Sequence, residues 1–213
     1  MKELKIHLTF TTPILGTASA NKEIHSEYIA SKAPDAPKRE EEIAAIGVDA
    51  YEEKGMTVFH RNKEGNPILF DYQLKGFFKD ACSMLQKCRN GKQGKPEEFA
   101  KASCELKAYK KIIDGVIFIK EREIPINVNG EIGNLQRPLR GQTAQGERIA
   151  LANSEMIPEG STIDFTIIAM TDCYVPAIIE WLDYGALRGI GQWRNGSFGR
   201  FNYTIGEKSK EVA

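Results

Sequence analysis

The chain has 213 residues, 41% hydrophobic and 27% charged, values that exclude a disordered chain or a coiled coil and leave enough length to bury a core. With 29 Lys and Arg against 29 Asp and Glu the formal net charge is zero, which excludes coating of nucleic acid by bulk charge and leaves only a local basic patch. No apolar run reaches the length of a membrane span and "MKELKIHLTF" lacks an apolar signal core, so the expectation is a cytoplasmic protein with no membrane partner.

In "LKIHLTF", Ile6, Leu8 and Phe10 alternate with Lys5, His7 and Thr9, the period of a half-buried strand. "TTPILGT" ends it with Pro13 and Gly16. Residues 17–42 are polar and read as a long insertion. "EEEIAAIGVDAYEEKG" holds a short helix, "MTVFHR" a strand, "NKEGN" a turn and "PILF" a second extended piece.

Leu74, Phe77, Phe78, Ala81 and Leu85 then mark one stripe of a helix that opens at Asp71, read as its N-cap. "RNGKQGKPEE" breaks it, and Pro96 opens a second helix running to about Lys111. "GVIFIK", "EIPINV", "ERIALA" and "STIDFTIIAM" read as strands. Between them, residues 129–148 form a protruding loop or hairpin. A helix from about Pro176 to Leu187, a glycine-rich loop and a closing strand "SFGRFNYTI" follow, and the tail frays from Gly206. The order predicts one α+β domain over 1–205: a ferredoxin-like, RRM-related antiparallel sheet with helices on one face, long insertions at 17–42 and 129–148, and a flexible tail at 206–213.

The stretch "GALRGIGQWRNGSFGRFNYT" carries Arg188, Arg194 and Arg200 among Gly189, Gly191, Gly196 and Gly199, with no acidic residue. A helix precedes it and a strand follows, the reverse of a dinucleotide fingerprint, and no Lys-Ser/Thr pair makes it a Walker loop. Open backbone amides and guanidiniums suit phosphodiester contacts. Trp193, Phe198 and Phe201 offer faces for splayed bases. The alternative is a tight crossover whose aromatics are buried.

"GIGQWRNGSFGRF" resembles the C-terminal glycine-rich loop of the RAMP superfamily, the CRISPR-associated RNA-binding proteins. "LFDYQLKGFFKDAC" is similar to the "SLKG" step of backbone-type members, with Gln73 in place of the usual serine and Lys79 in place of the usual arginine. "LTFTTPILGTAS" and "EMIPEGSTIDFTI" are similar to two of that family's strands. The resemblance implies a ferredoxin-like fold that holds single-stranded RNA on a basic surface. Implied contacts are the loop residues, Lys75 and Lys79, and Arg137 and Arg140 of a thumb-like hairpin that also carries Arg148.

Two branches of that superfamily cut RNA, one through acid–base chemistry and one through an acidic residue after the first strand. His25 and Asp35, both in the first insertion, are the corresponding candidates for catalysis. His7 reads as a surface or ligand-lining group and His60 as a solvent-facing strand end. No metal-ligand spacing is present and no cofactor is expected. Cys82, Cys88, Cys104 and Cys173 lack CxxC spacing and read as reduced thiols. The first reading is a non-catalytic, RAMP-like protein that binds single-stranded RNA or a short oligonucleotide, as a homo-oligomer or a ribonucleoprotein subunit. The second is a mobile-element or phage protein that sequesters a nucleotide or blocks a host defence protein, and the third a metal-independent endoribonuclease.

Overall fold

The structure is a computed structural model and describes residues 1–20, 56–90, 94–143 and 146–208. In chain order its elements are β1 (Lys2–Phe10), β2 (Ile14–Leu15), β3 (Ala18–Ser19), β4 (Thr57–Val58), β5 (His60–Arg61), β6 (Pro67–Phe70) and α1 (Asp71–Leu85). Then come α2 (Lys101–Glu105), α3 (Tyr109–Val116), β7 (Ile117–Ile119), β8 (Glu123–Asn127), β9 (Gly133–Thr143), β10 (Gly146–Ile157), β11 (Thr162–Ala169), α4 (Val175–Arg188) and β12 (Phe201–Lys208).

The principal sheet has seven strands in the order β12-β1-β11-β8-β6-β5, with β7 also paired to β11. Its centre is antiparallel throughout: β1 lies between β11, with Ile6 opposite Phe165, and β12, with Ile6 opposite Ile205. With β7 and β8 as the second strand of the unit, and α1 and α4 as its crossover helices, the order is that of a ferredoxin-like β-α-β-β-α-β fold. The α+β class expected from the element order is the observed one.

Alternation along β1 sends Leu4, Ile6, Leu8 and Phe10 to one face, where they are buried with Ile163, Phe165 and Ile167 of β11. The stripes on α1 (Leu74, Phe77, Phe78, Ala81, Leu85) and α4 (Ala177, Ile178, Trp181, Leu182) join the same cluster. Each Leu, Ile or Phe among them contributes about 1.5–3 kcal/mol on burial, which fixes both helices to that face. The other face of the central strands stays polar, exposing Lys5, His7, Asp164, Asn202 and Thr204.

A second sheet, not foreseen from the sequence, runs β2-β10-β4-β3, with β9 paired to β10. Ile14 and Leu15 cross from the end of β1 to pair with Ile157 and Met156. The expected protrusion at 129–148 belongs to a longer antiparallel ribbon, β9 against β10, in register from Gly133–Met156 to Thr143–Gly146. Its base is anchored by the buried Glu155, whose carboxylate pairs with Arg61 and accepts the Phe59 amide at 2.8 Å.

Several boundaries differ from expectation for identifiable reasons. Phe70, not Asp71, is the N-cap, and its amide donates to Gln73 Oε1 at 2.7 Å while Asp71 pairs with Arg122. The helix expected over residues 96–111 is two. Gln86 Nε2 donates to the carbonyls of Ser103 (3.0 Å) and Leu106 (2.8 Å), ending α2, and Ala108 is left-handed at φ 51° before α3 begins. Gly115 and Val116, expected in a strand, close α3. The last strand starts at Phe201 and continues past Gly206 to Lys208, opposite Glu3, because β1 offers it a full-length partner. His60, expected to face water, is half-buried, edge-on to Phe70 with ring centres 4.9 Å apart.

Candidate nucleic-acid interface

The glycine-rich loop is a folded latch rather than an open one. Gly189 N–H donates to Gly185 O (2.7 Å) as α4 ends, Ile190 N–H to Gly199 O (2.9 Å), Gly196 N–H to Trp193 O (2.8 Å) and Ser197 N–H to Arg194 O (3.0 Å). Gly199 N–H donates to Pro13 O at 2.8 Å, Arg200 N–H to Thr12 Oγ1 at 2.9 Å, and Thr12 Oγ1–H to Ser197 O at 2.8 Å. The exit of β1 and the loop, two of the segments that carry the resemblance, are thus hydrogen-bonded to each other. Gly191 lies against the Ile14 side chain, and Gln192 Oε1 accepts from Thr57 at 2.9 Å, tying the loop to the second sheet. The amides of Gly189, Gly196 and Gly199, expected to face phosphate, all donate within the protein.

The arginines divide accordingly. Arg194 Nη1 pairs with Asp80 Oδ2 of α1 at 2.6 Å, and Arg188 Nη1 donates to Asn195 Oδ1 at 2.6 Å. Arg200 is exposed and, among the described residues, its guanidinium has no partner, although its backbone is pinned by Thr12. Lys75 donates to the Asp114 carbonyl (3.4 Å) and lies 5.0 Å over the Phe118 ring, while Lys79 pairs with the Asp114 carboxylate at 2.7 Å. Both lysines therefore face α3 and β7. Exposed pairs of this kind contribute about 0–1 kcal/mol, so Lys79→Ala is expected to shift the melting temperature by no more than about 4 °C.

Trp193 is the residue around which the loop is shaped. It is left-handed at φ 52°, an uncommon conformation for a bulky residue and one that needs a reason. A Cβ at Gly196 would lie 2.7 Å from its indole, so only glycine leaves the ring its place. Phe198 stacks on it with ring centres 5.0 Å apart and planes 19° apart. From the ribbon, Arg137 lays its guanidinium carbon 3.6 Å over the ring centre. Trp193 nevertheless remains 37% exposed. Arg137 Nε is buried with no hydrogen-bond partner among the described residues. A cation–π contact of this kind contributes about 0.5–2 kcal/mol against about 1–3 kcal/mol for an orphaned buried donor, so the contact is close to balanced.

Arg140 lies further along β9, opposite Ile149, and Arg148 opposite Gly141 on β10. His25 and Asp35 lie outside the described residues. His7, on the open sheet face, donates from Nδ1 to Asp164 Oδ1 at 2.7 Å beside a depression of about 470 Å³ that Lys5, Glu121, Thr166 and Thr204 also line. Glu121 is occupied there by the Thr166 amide (2.7 Å) and hydroxyl (2.9 Å). The exposed positions of β1, β11 and β12 carry no Phe, Tyr or Trp, and the exposed aromatics among the described residues are Trp193 in the loop, Phe118 on β7, Tyr72 on α1 and Phe99 ahead of α2.

The four cysteines are free. Burial pushes the Cys82 thiol up to about 11, which holds it protonated and unreactive at neutral pH. Burial, followed by its bond to the Asp183 carboxylate, likewise raises the Tyr203 hydroxyl above its ordinary value. Among the described residues no group of three or more His, Cys, Asp or Glu is placed to hold a metal, and no helix is long and apolar enough to cross a membrane.

No family model matches the sequence, and no curated protein is significantly similar to it. The fold, however, is shared. A subunit of the structure described as the Type III-B Cmr-beta complex bound to cognate target RNA superposes with a TM-score of 0.54 at 11% identity, over 97% of this chain and 60% of that one. A subunit of a Type IV-B CRISPR complex gives 0.50 at 7% identity, over 99% of this chain and 93% of that one. The α+β, ferredoxin-like fold is thus one shared with chains of these two CRISPR assemblies. The chain spans about 60% of the length of the Cmr-beta subunit.

Proposed function

We propose that this protein is an RNA-binding subunit of a CRISPR-associated, multi-subunit ribonucleoprotein, holding single-stranded RNA where the glycine-rich loop, the exit of β1 and the β9–β10 ribbon meet. The observation that carries this reading is the loop itself: it fixes Arg200 by its backbone, with a guanidinium that has no partner among the described residues, and holds Trp193 partly exposed. The shared fold supports it, since one structural neighbour is a chain of an assembly described as bound to cognate target RNA. In this reading, the free cation meets phosphate and the aromatic face meets a base, with the protein's overall neutrality keeping the contact local.

The test is titration of fluorescein-labelled single-stranded RNA at two salt concentrations. Arg200→Ala is expected to weaken binding and to flatten the plot of log K against log salt by about 0.7, the share of one phosphate contact on a single strand. Arg194→Ala, whose guanidinium is committed to Asp80, is expected to lower the melting temperature and leave that slope unchanged. A wild-type slope in Arg200→Ala would remove the loop from the interface.

A further inference from the structure

We propose that the contact between Arg137 and Trp193 is a nucleobase slot: a single base of the bound strand inserts between the guanidinium plane and the indole, displacing the Arg137 side chain from the ring. The inference rests on the RNA-binding reading and adds to it the position, chemistry and motion of one base.

Four independent features converge on this place. Trp193 is left-handed at φ 52°, and the loop accommodates its ring only because residue 196 has no side chain. The ring is braced by Phe198 at 5.0 Å, so it is a fixed platform and not a swinging one. Arg137 covers it at 3.6 Å, a spacing that matches one aromatic layer on another. And Arg137 Nε is buried with no partner among the described residues. Its N–H lies in the plane of the guanidinium, so moving the side chain off the indole opens that donor to water or to a phosphate oxygen of the strand and relieves its burial.

The geometry also says what must move. Inserting one base adds roughly 3.4 Å, the thickness of a stacked layer, so the planes must separate to about 7 Å. Arg137 sits on β9 opposite Ala152, one residue beyond Asn153 and Ser154, where Thr57 and Gln192 hold the ribbon in addition to the anchor at Glu155. The strand is therefore fixed at this point, and what moves is the Arg137 side chain, whose long aliphatic stem swings its guanidinium off the ring. The platform cannot do the moving, because the loop is latched to Thr12 and Pro13 by hydrogen bonds of 2.8 to 2.9 Å. Arg suits the movable wall because its planar guanidinium stacks on a base while its charge stays near the backbone phosphates.

The experiment follows tryptophan emission as single-stranded oligoadenylate is added to the full chain. Trp181 is fully buried and hydrogen-bonded to Ser103 at 3.1 Å, so its emission is a constant background that the Trp193→Phe variant measures. Stacking of a base is expected to quench the Trp193 component. Trp193→Ala should weaken binding about ten- to hundred-fold, the loss of one stacked base, with the salt slope unchanged, and Trp193→Phe should restore most of it. Arg137→Lys, which keeps the charge and loses the plane, should weaken binding about as much as Arg137→Ala.

Arg137→Lys binding like wild type, or oligoadenylate binding with Trp193 emission unchanged, would overturn the slot while leaving the RNA-binding reading in place. No binding by wild type even at low salt would overturn both. Circular dichroism of each variant identifies those that fail to fold, and in that event the wild-type quenching result alone decides.

Discussion

Replacing Gly199 by alanine is expected to unlatch the loop and lower stability by about 3–4 kcal/mol, a fall of roughly 10 °C in melting temperature for a chain of this size. Gly199 sits at φ 71°, where a Cβ costs about 1–2 kcal/mol. The added carbon would also lie 2.0 Å from the Ile190 carbonyl oxygen, a backbone atom that no rotamer change can move aside. Relief requires breaking Ile190 N–H···O Gly199 and Gly199 N–H···O Pro13, each contributing about 1 kcal/mol. Those bonds hold the loop to the exit of β1, so the displacement is transmitted to Arg200 and Trp193. RNA affinity should therefore fall together with stability. Differential scanning calorimetry and the RNA titration check both parts. A Gly199→Ala protein that melts within a degree or two of wild type and binds RNA normally would show that the latch does not shape the interface.

How much of this was legible beforehand follows from the range over which each interaction acts. The alternation of Ile6, Leu8 and Phe10 and the stripes on α1 and α4 are local patterns, and the core they predict is the observed one. Together with the order of elements they were enough for the ferredoxin-like topology. The second sheet was not legible because its pairs are two-residue strands far apart in the chain, Ala18–Ser19 with Thr57–Val58 and Ile14–Leu15 with Met156–Ile157. The capping error at Asp71 was avoidable: Gln73 occupies the third helical position, from which an amide side chain reaches back to the cap.

The loop shows the limit more sharply. Its glycines and arginines announced an unusual segment, but composition says nothing about which cation is already paired. Arg194 finds Asp80 at a separation of 114 residues, and Arg200 finds no partner among the described residues. Nor did the run of glycines distinguish open amides from amides that fold the loop on itself. The segment is a tight crossover with Phe201 buried, and Trp193 and Arg200 stay exposed on it. Lys75 and Lys79 carry the same lesson, since Asp114 was invisible as their partner until α3 was placed beside α1.

Trp181→Ala is expected to have the largest effect on stability, about 3–5 kcal/mol, because it empties a fully buried indole site. The ring packs 5.5 Å from Phe78 of α1, and its Nε1–H donates to Ser103 Oγ at 3.1 Å. The neighbouring Glu180 accepts the amides of Ala102 and Ser103 at 2.8 Å each, so one turn of α4 holds the start of α2 by its side chains. Losing the indole leaves a cavity against α1 and removes the partner of Ser103, which is itself completely buried. Trp181→Phe fills most of that volume and forgoes the hydrogen bond, so it should cost about 1–2 kcal/mol, and thermal melts of the two variants separate packing from polar satisfaction. Trp181 lies two turns of α4 before Arg188, and its hydrogen bond and ring contact go to Ser103 and Phe78, away from Trp193 and Arg200, so the folded fraction of either variant should bind single-stranded RNA with the wild-type salt slope. That independence is what distinguishes it from Gly199→Ala: if Trp181→Ala flattened the slope as Arg200→Ala does, the core beneath α4 and the loop beyond it would form one cooperative unit, and the interface would depend on the whole helix instead of on its final turn.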